Sequence, residues 1–199
     1  MGVNDKNRKG KEFFITNKFF MRKHTLFNAI VFLLGIFSAY SQFNETVKAQ
    51  FVKDWERGKA YTLEYLDVMP KDKYGFKAQD SIRSFSQQML HLAHDIIIMI
   101  SYGTGKQRIW DSQNIEARIS AQSADSVRYF ITASYDYAID AIKNMDASKL
   151  EEKYKTRRNF EETRFAWLLK AFEHQTHHRG QTTIYIRLLG IKPPNEKLF

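Results

Sequence analysis

The 199-residue chain has no cysteine. That excludes disulfide staples, thiolate metal ligands and cysteine nucleophiles, so any reactive site must be built from nitrogen and oxygen. A domain of this size buries enough surface to do without disulfides, so the absence decides nothing about compartment. Proline is scarce at three residues and glycine modest at nine, leaving few places where a helix is forced to stop. No internal repeat or low-complexity tract interrupts the chain. Charge of one sign is also missing from most of it. The formal net charge is +9, but seven of the 31 basic residues fall in residues 1–24, which hold two of the 22 acidic ones. The remainder is an ordinary solvated surface with no concentrated basic stripe, and no nucleic-acid partner is expected.

What is present begins with an uncharged stretch, residues 25–41, whose apolar run LFNAIVFLLGIFSAY occupies 26–40. A basic leader, a short apolar run and small residues Ala39 and Ser41 at −3 and −1 read as a signal peptide over 1–41, cut after Ser41. The expected location is periplasmic or extracellular, with no membrane span after cleavage. A retained anchor is the alternative, although a full span takes about 20 apolar residues. The leader is long, and Met21 followed by Arg22, Lys23 and His24 is an alternative start.

From residue 42 to 199 one domain is expected. Val47, Phe51, Trp55, Thr62, Leu66 and Met69 recur at helical spacing and predict a first helix over 44–69, ended by Pro70. A second is expected over 81–101, capped by Asp80 or Ser81 and broken at Tyr102-Gly103-Thr104-Gly105. Ser123 predicts a third over 124–145. Ser148 with Glu151 fits a capping box for a short turn, and Asn159 with Glu162 fits another opening a fourth helix over 160–189. Aromatic residues fall at helical spacing, so a sheet is discounted and the fold class is all-α, a four-helix bundle.

Apart from His24, the histidines lie in two of these helices: His91, His94, His174, His177 and His178. At about 100° per residue, His174 and His178 are about 40° apart, an i, i+4 spacing that lets both bind one ion. They share an arc of about 60° with Trp167, Ala171, Tyr185 and Leu189, whereas His177 lies on the flank. His91 shares an arc with Gln87, Asp95, Ile98 and Tyr102 and is the third candidate ligand; His94, about 60° to the other side, is the alternate. Asp95 could ligate or accept a ligand histidine's second N–H. Three imidazoles leave a coordination position open for water or substrate. Candidate catalytic carboxylates are Asp95 and Glu173, with the phenols of Tyr102 and Tyr185 beside them. None is singled out by spacing.

The segment EHQTHHRGQTTIYIRLLGIKPP at 173–194 closely resembles the terminal signature of the DinB-like (DinB/YfiT) superfamily. SIRSFSQQMLHLAH at 81–94 and DWERGKAYTLEYLDVMP at 54–70 resemble that family's second and first helices. The resemblance implies an up-down-down-up bundle, a homodimer, and a divalent metal, zinc or nickel first, held by His91, His174 and His178. His94 and Asp95 beside His91 depart from the pattern. Arg179, Gly180 and Gln181 complete the HHRGQ motif; a structural ion pair is expected of Arg179 and close helix packing of Gly180. The family's activities imply a metal-dependent hydrolase or a thiol S-transferase acting on an unidentified small molecule. Export disfavours a cytosolic thiol and shifts the expectation towards hydrolysis. The alternative is a non-catalytic exported module stabilised by metal.

Overall fold

The computed structural model describes residues 5–110 and 114–199, with side chains described from residue 27 onward. The chain divides into two units, Met1–Phe43 and Asn44–Phe199. Helix α1 spans Asp5–Val68. In the first unit, residues 27–43 are exposed throughout, and the helix from Phe27 is long and apolar enough to cross a membrane, a test that an export signal also passes. Met1–Asn4 and the side chains of residues 5–26, that of Met21 among them, lie outside the described residues.

The second unit is a helical bundle. From Asn44 onward α1 buries Phe51, Trp55, Thr62 and Leu66 of the expected stripe, Val47 is half-buried, and Met69 is buried just past the helix end. The turn after Pro70 is pinned by Tyr74, whose hydroxyl donates to the Leu66 carbonyl at 3.0 Å and whose ring meets Phe85 edge-on. Helix α2 then runs Phe85–Thr104, starting later than predicted. Ser84 is the cap, because its hydroxyl accepts the Gln87 N–H while the Gln87 side chain accepts the Ser84 N–H. Ser81 is instead bonded to Gln79. Nor does Gly103 break α2. A Cβ there would lie 2.6 Å from Leu168 Cδ2, so this glycine permits close helix packing, and Gly105 at φ 78° ends the helix.

Helix α3 spans Ala124–Asn144 and starts at the predicted cap, Ser123, which accepts the Ser126 N–H. The following turn is capped by Asp146, which takes the Ser148 N–H, and not by a Ser148–Glu151 box. A small antiparallel hairpin then contradicts the discounted sheet: β1, Lys153–Lys155, pairs with β2, Glu161–Thr163. Three residues per strand are too few for alternation to show in sequence. Asn159 sits in the hairpin's turn at φ 63°, a conformation asparagine tolerates, so it is no helix cap. Thr163 caps helix α4, Arg164–Leu188, four residues later than predicted.

Helix directions follow from contact pairs. Phe51–Phe165, Thr62–Arg179 and Tyr65–Thr183 advance together, so α1 and α4 are parallel. Lys48–Met145, Thr62–Tyr135 and Asp67–Arg128 run oppositely, so α3 is antiparallel to α1. Arg83–Tyr185, His91–His178 and Gly103–Leu168 make α2 antiparallel to α4. The bundle is therefore up-down-down-up. Its centre is Trp55, fully buried and packed edge-on against Tyr135 of α3 and Phe172 of α4, each ring centroid 5.6 Å away.

Candidate metal centre

The antiparallel contact between α2 and α4 decides which histidines meet. His91, His174 and His178 each bring one ligand nitrogen within 4.8 Å of the others. His91 lies 4.5 Å from His178 and 5.3 Å from His174, centroid to centroid, and the two α4 rings are 4.3 Å apart. His94 is outside this group, its Nδ1 3.4 Å from Asp95 Oδ1. His177 is exposed and hydrogen-bonded to Gln181. Of the candidate catalytic carboxylates, Asp95 lies among the rings: its Oδ2 is 3.2 Å from His174 Nε2 and 3.5 Å from His91 Nε2. Glu173 is exposed on α4. Tyr102 is stacked on Tyr154 and edged by Trp167, whereas Tyr185 donates to the Arg83 carbonyl at 2.7 Å.

Electrostatics favour neutral rings at His91 and His178 beside an ionised Asp95. Burial pushes the His178 pKa down to about 3, with help from the positive potential of His174, His91, His177 and Arg83. Burial also lowers that of His91; Arg83 and His174 act in the same direction, and Asp95 and Glu116 oppose them. Burial resists ionisation of Asp95, but hydrogen bonds from His174 and His94 and the fields of His91 and His174 outweigh it and hold the carboxyl below its ordinary range.

These groups fit a cation. His178 Nδ1 is buried without a hydrogen-bond partner among the described residues, while its Nε2 lies 3.1 Å from His174 Nε2. Two neutral ring nitrogens at that separation satisfy each other only if one carries a proton, and a buried polar atom left unpaired costs about 1–3 kcal/mol. An ion between the two rings would take both Nε2 lone pairs and remove the need for that proton. Neutral imidazoles suit divalent transition-metal ions.

Two nearby residues carry no signal in sequence. Glu116, in the segment before α3, places Oε2 3.2 Å from His91 Nδ1, and its Oε1 accepts from Arg83 Nε at 2.6 Å. Arg83, Glu116, Gln88, Gln181, Ile184 and Tyr185 contribute to the wall of a cleft of about 630 Å³, and Glu116 is the wall residue that also contacts His91. The only sequence hint is Ile115, an isolated apolar residue in a polar stretch, which proves fully buried and anchors its neighbour.

The rest of the HHRGQ segment departs from expectation. Arg179 is buried, yet among the described residues its partners are neutral: Gln175 Oε1 at 2.7 Å, Thr62 Oγ1 at 3.3 Å and the face of Tyr61 at 4.5 Å. Hydrogen bonds and a cation–π contact thus replace the predicted ion pair. Gly180 is exposed, and a Cβ there would meet nothing described within 4 Å, so it does not mediate close packing inside the bundle.

The molecule thus combines an up-down-down-up bundle with a three-histidine group between its second and fourth helices. The sequence profile of the DinB family matches residues 41–198, and the chain belongs to that family. Among solved structures, a DinB-like protein from Bacillus cereus superposes with a TM-score of 0.63 at 19% identity, covering 73% of this chain and 95% of that one. A DinB-like protein from Bacillus subtilis gives 0.59 at 18% identity, covering 75% and 96%. A mutant of a mycothiol-dependent maleylpyruvate isomerase gives 0.54 at 13% identity, covering 67% and 59%. At these identities the likeness establishes the fold. No curated protein matches the sequence.

Proposed function

We propose that this protein is a metal-dependent enzyme acting on a small molecule bound in the cleft beside Glu116 and Tyr185, with His91, His174 and His178 as the metal ligands. The observation that carries the reading is the convergence of three imidazole nitrogens within 4.8 Å on two antiparallel helices. A divalent ion in such a site supplies Lewis acidity to a water or thiol at an open position. The protein's own part is to present unprotonated nitrogens and to hold a proton acceptor. Burial keeps His178 neutral well below physiological pH. His174 Nε2 must give up any proton it shares with Asp95 in order to ligate, which selects the tautomer protonated on Nδ1. Asp95, ionised and within reach of two of the rings, is the general base in this proposal.

Of the two reaction classes, we favour hydrolysis over thiol transfer. The basic leader and exposed apolar run support export and cleavage after Ser41, and a low-molecular-weight thiol is less available outside the cytosol. The resemblance to the mycothiol-dependent isomerase keeps thiol chemistry as the runner-up. The test is elemental analysis of protein purified without added metal, compared with His174→Ala and His91→Ala. About one equivalent of zinc or nickel in the parent and little in either variant is expected. Metal retained by His174→Ala would remove the site. Sequencing the N-terminus of the same preparation, recovered after export, is expected to give Gln42; an uncut leader would favour the anchor.

A further inference from the structure

We propose that Glu116 is a positioning residue for the metal centre: it accepts the Nδ1 proton of His91 and so turns the Nε2 lone pair towards His174 and His178. The inference rests on the metal-ligand reading above and adds a residue to it from outside the histidine helices. Both nitrogens of His91 face carboxylates, but unequally. Nδ1 is 3.2 Å from Glu116 Oε2, whereas Nε2 is 3.5 Å from Asp95 Oδ2, on the side where the other two rings lie. A neutral imidazole has one proton to give, and the shorter contact takes it. Nε2 is then left with a free lone pair aimed at the shared position, the arrangement in which a carboxylate fixes a ligand histidine's tautomer and ring plane.

Glu116 can do this because it is itself held on several sides. Its Oε1 accepts from Arg83 Nε at 2.6 Å, and the Arg83 carbonyl accepts from Tyr185 Oη at 2.7 Å, so the carboxylate is tied through Arg83 to α4. Its carbonyl accepts from Gln122 Nε2 at 3.2 Å. The neighbouring Ile115 is buried in the core, and Asn114 Oδ1 takes the Ala117 N–H at 3.1 Å, which fixes the turn around Glu116. A carboxylate with this many restraints loses little freedom on meeting His91. Arg83 and Glu116 also line the cleft, so the group that orients a ligand borders the space a substrate would enter.

The test uses the full-length protein and two readouts. Zinc dissociation constants by chelator competition are expected to rise about 10- to 100-fold in Glu116→Ala. Glu116→Gln should recover most of that loss, because an amide oxygen still accepts an N–H. Histidine-selective ¹⁵N NMR on the metal-free protein is expected to show His91 protonated on Nδ1 in the parent and in Glu116→Gln, and a tautomer mixture in Glu116→Ala. His91 protonated on Nε2 in the parent would overturn the proposal, as would a zinc affinity for Glu116→Ala within about threefold of the parent. If the parent binds no zinc, the metal-ligand reading fails, and the NMR readout still decides the role of Glu116. If Glu116→Ala does not fold, a Glu116→Gln spectrum without Nδ1 protonation refutes it.

Discussion

Acidifying the metal-free protein is expected to cost stability through His178. Its folded pKa is about 3, against 6.5 for an ordinary histidine, because burial and neighbouring positive potential disfavour its charged form. The sign follows directly: between pH 6.5 and 3 the unfolded state binds a proton that the folded state does not, so stability falls as pH falls across that window. Each unit corresponds to about 1.4 kcal/mol, so the drop from pH 6.5 to 5 is about 2 kcal/mol from this residue. His91, lowered in the same direction, adds to it. Asp95 does not contribute there. Its depressed pKa adds stability that is present above the ordinary carboxylate range and is lost only as pH falls below about 4. The assay is urea unfolding of chelator-treated protein at pH 7, 6 and 5, followed by far-ultraviolet circular dichroism with a common m-value. His178→Gln should show a visibly shallower dependence on pH, whatever its absolute stability. A midpoint that stays constant from pH 7 to 5, or a parent-like slope in His178→Gln, would refute the reasoning.

Gly103→Ala should destabilise the bundle despite alanine's better helix propensity. The new methyl would lie 2.6 Å from Leu168 Cδ2 and 3.2 Å from the Arg164 carbonyl, and overpacking of this kind costs about 1–3 kcal/mol against a gain of about 1 from propensity. A melting temperature equal to or above the parent's would show that α2 and α4 separate freely. Arg179→Lys keeps the charge but cannot reproduce the planar contacts to Gln175, Thr62 and Tyr61, and is expected to lose about 1.5–3 kcal/mol in denaturant unfolding. An unchanged midpoint would mean the guanidinium geometry is immaterial.

The parts of this molecule that sequence discloses are those governed by helical period. The α1 stripe, the Ser123 cap and the convergence of His174 with His178 follow from about 100° per residue, and the shared arc on α2 put His91 ahead of His94 as the third candidate. What escaped the sequence reading depends on tertiary contact. Asp80 or Ser81 is the cap of α2 expected from sequence, but the side chain of Gln87 reaches back to Ser84, a contact that spacing does not disclose. Gly103 reads as a helix breaker beside Gly105, because the methyl group of Leu168 that requires a glycine comes from another helix. Arg179 was expected to find a carboxylate, but the residues that fold around it offer an amide, a hydroxyl and an aromatic face. Glu116 stands 25 positions from His91 in a stretch without period, so no spacing rule connects them.

The HHRGQ segment makes sense when its residues are divided by the surface each one faces. His178 points towards α2 and the other two histidines, whereas Arg179, one residue and about 100° further round, points into the seam with α1, where Thr62 and Gln175 meet Tyr135. His177 and Gln181, one turn apart, hydrogen-bond to each other on the exposed side. The positive charge of Arg179 thus lies on a different side of α4 from His178, bonded to groups that cannot neutralise it, while the carboxylates of Asp95 and Glu116 flank the imidazoles. That partition places negative charge where a cation would sit and keeps the helix's buried cation away from it. A shift of α4 by one residue would exchange the two and bring Arg179 against His91, so the register fixed at the Thr163 cap and at the Gly103–Leu168 contact is also what keeps a guanidinium away from the three imidazoles.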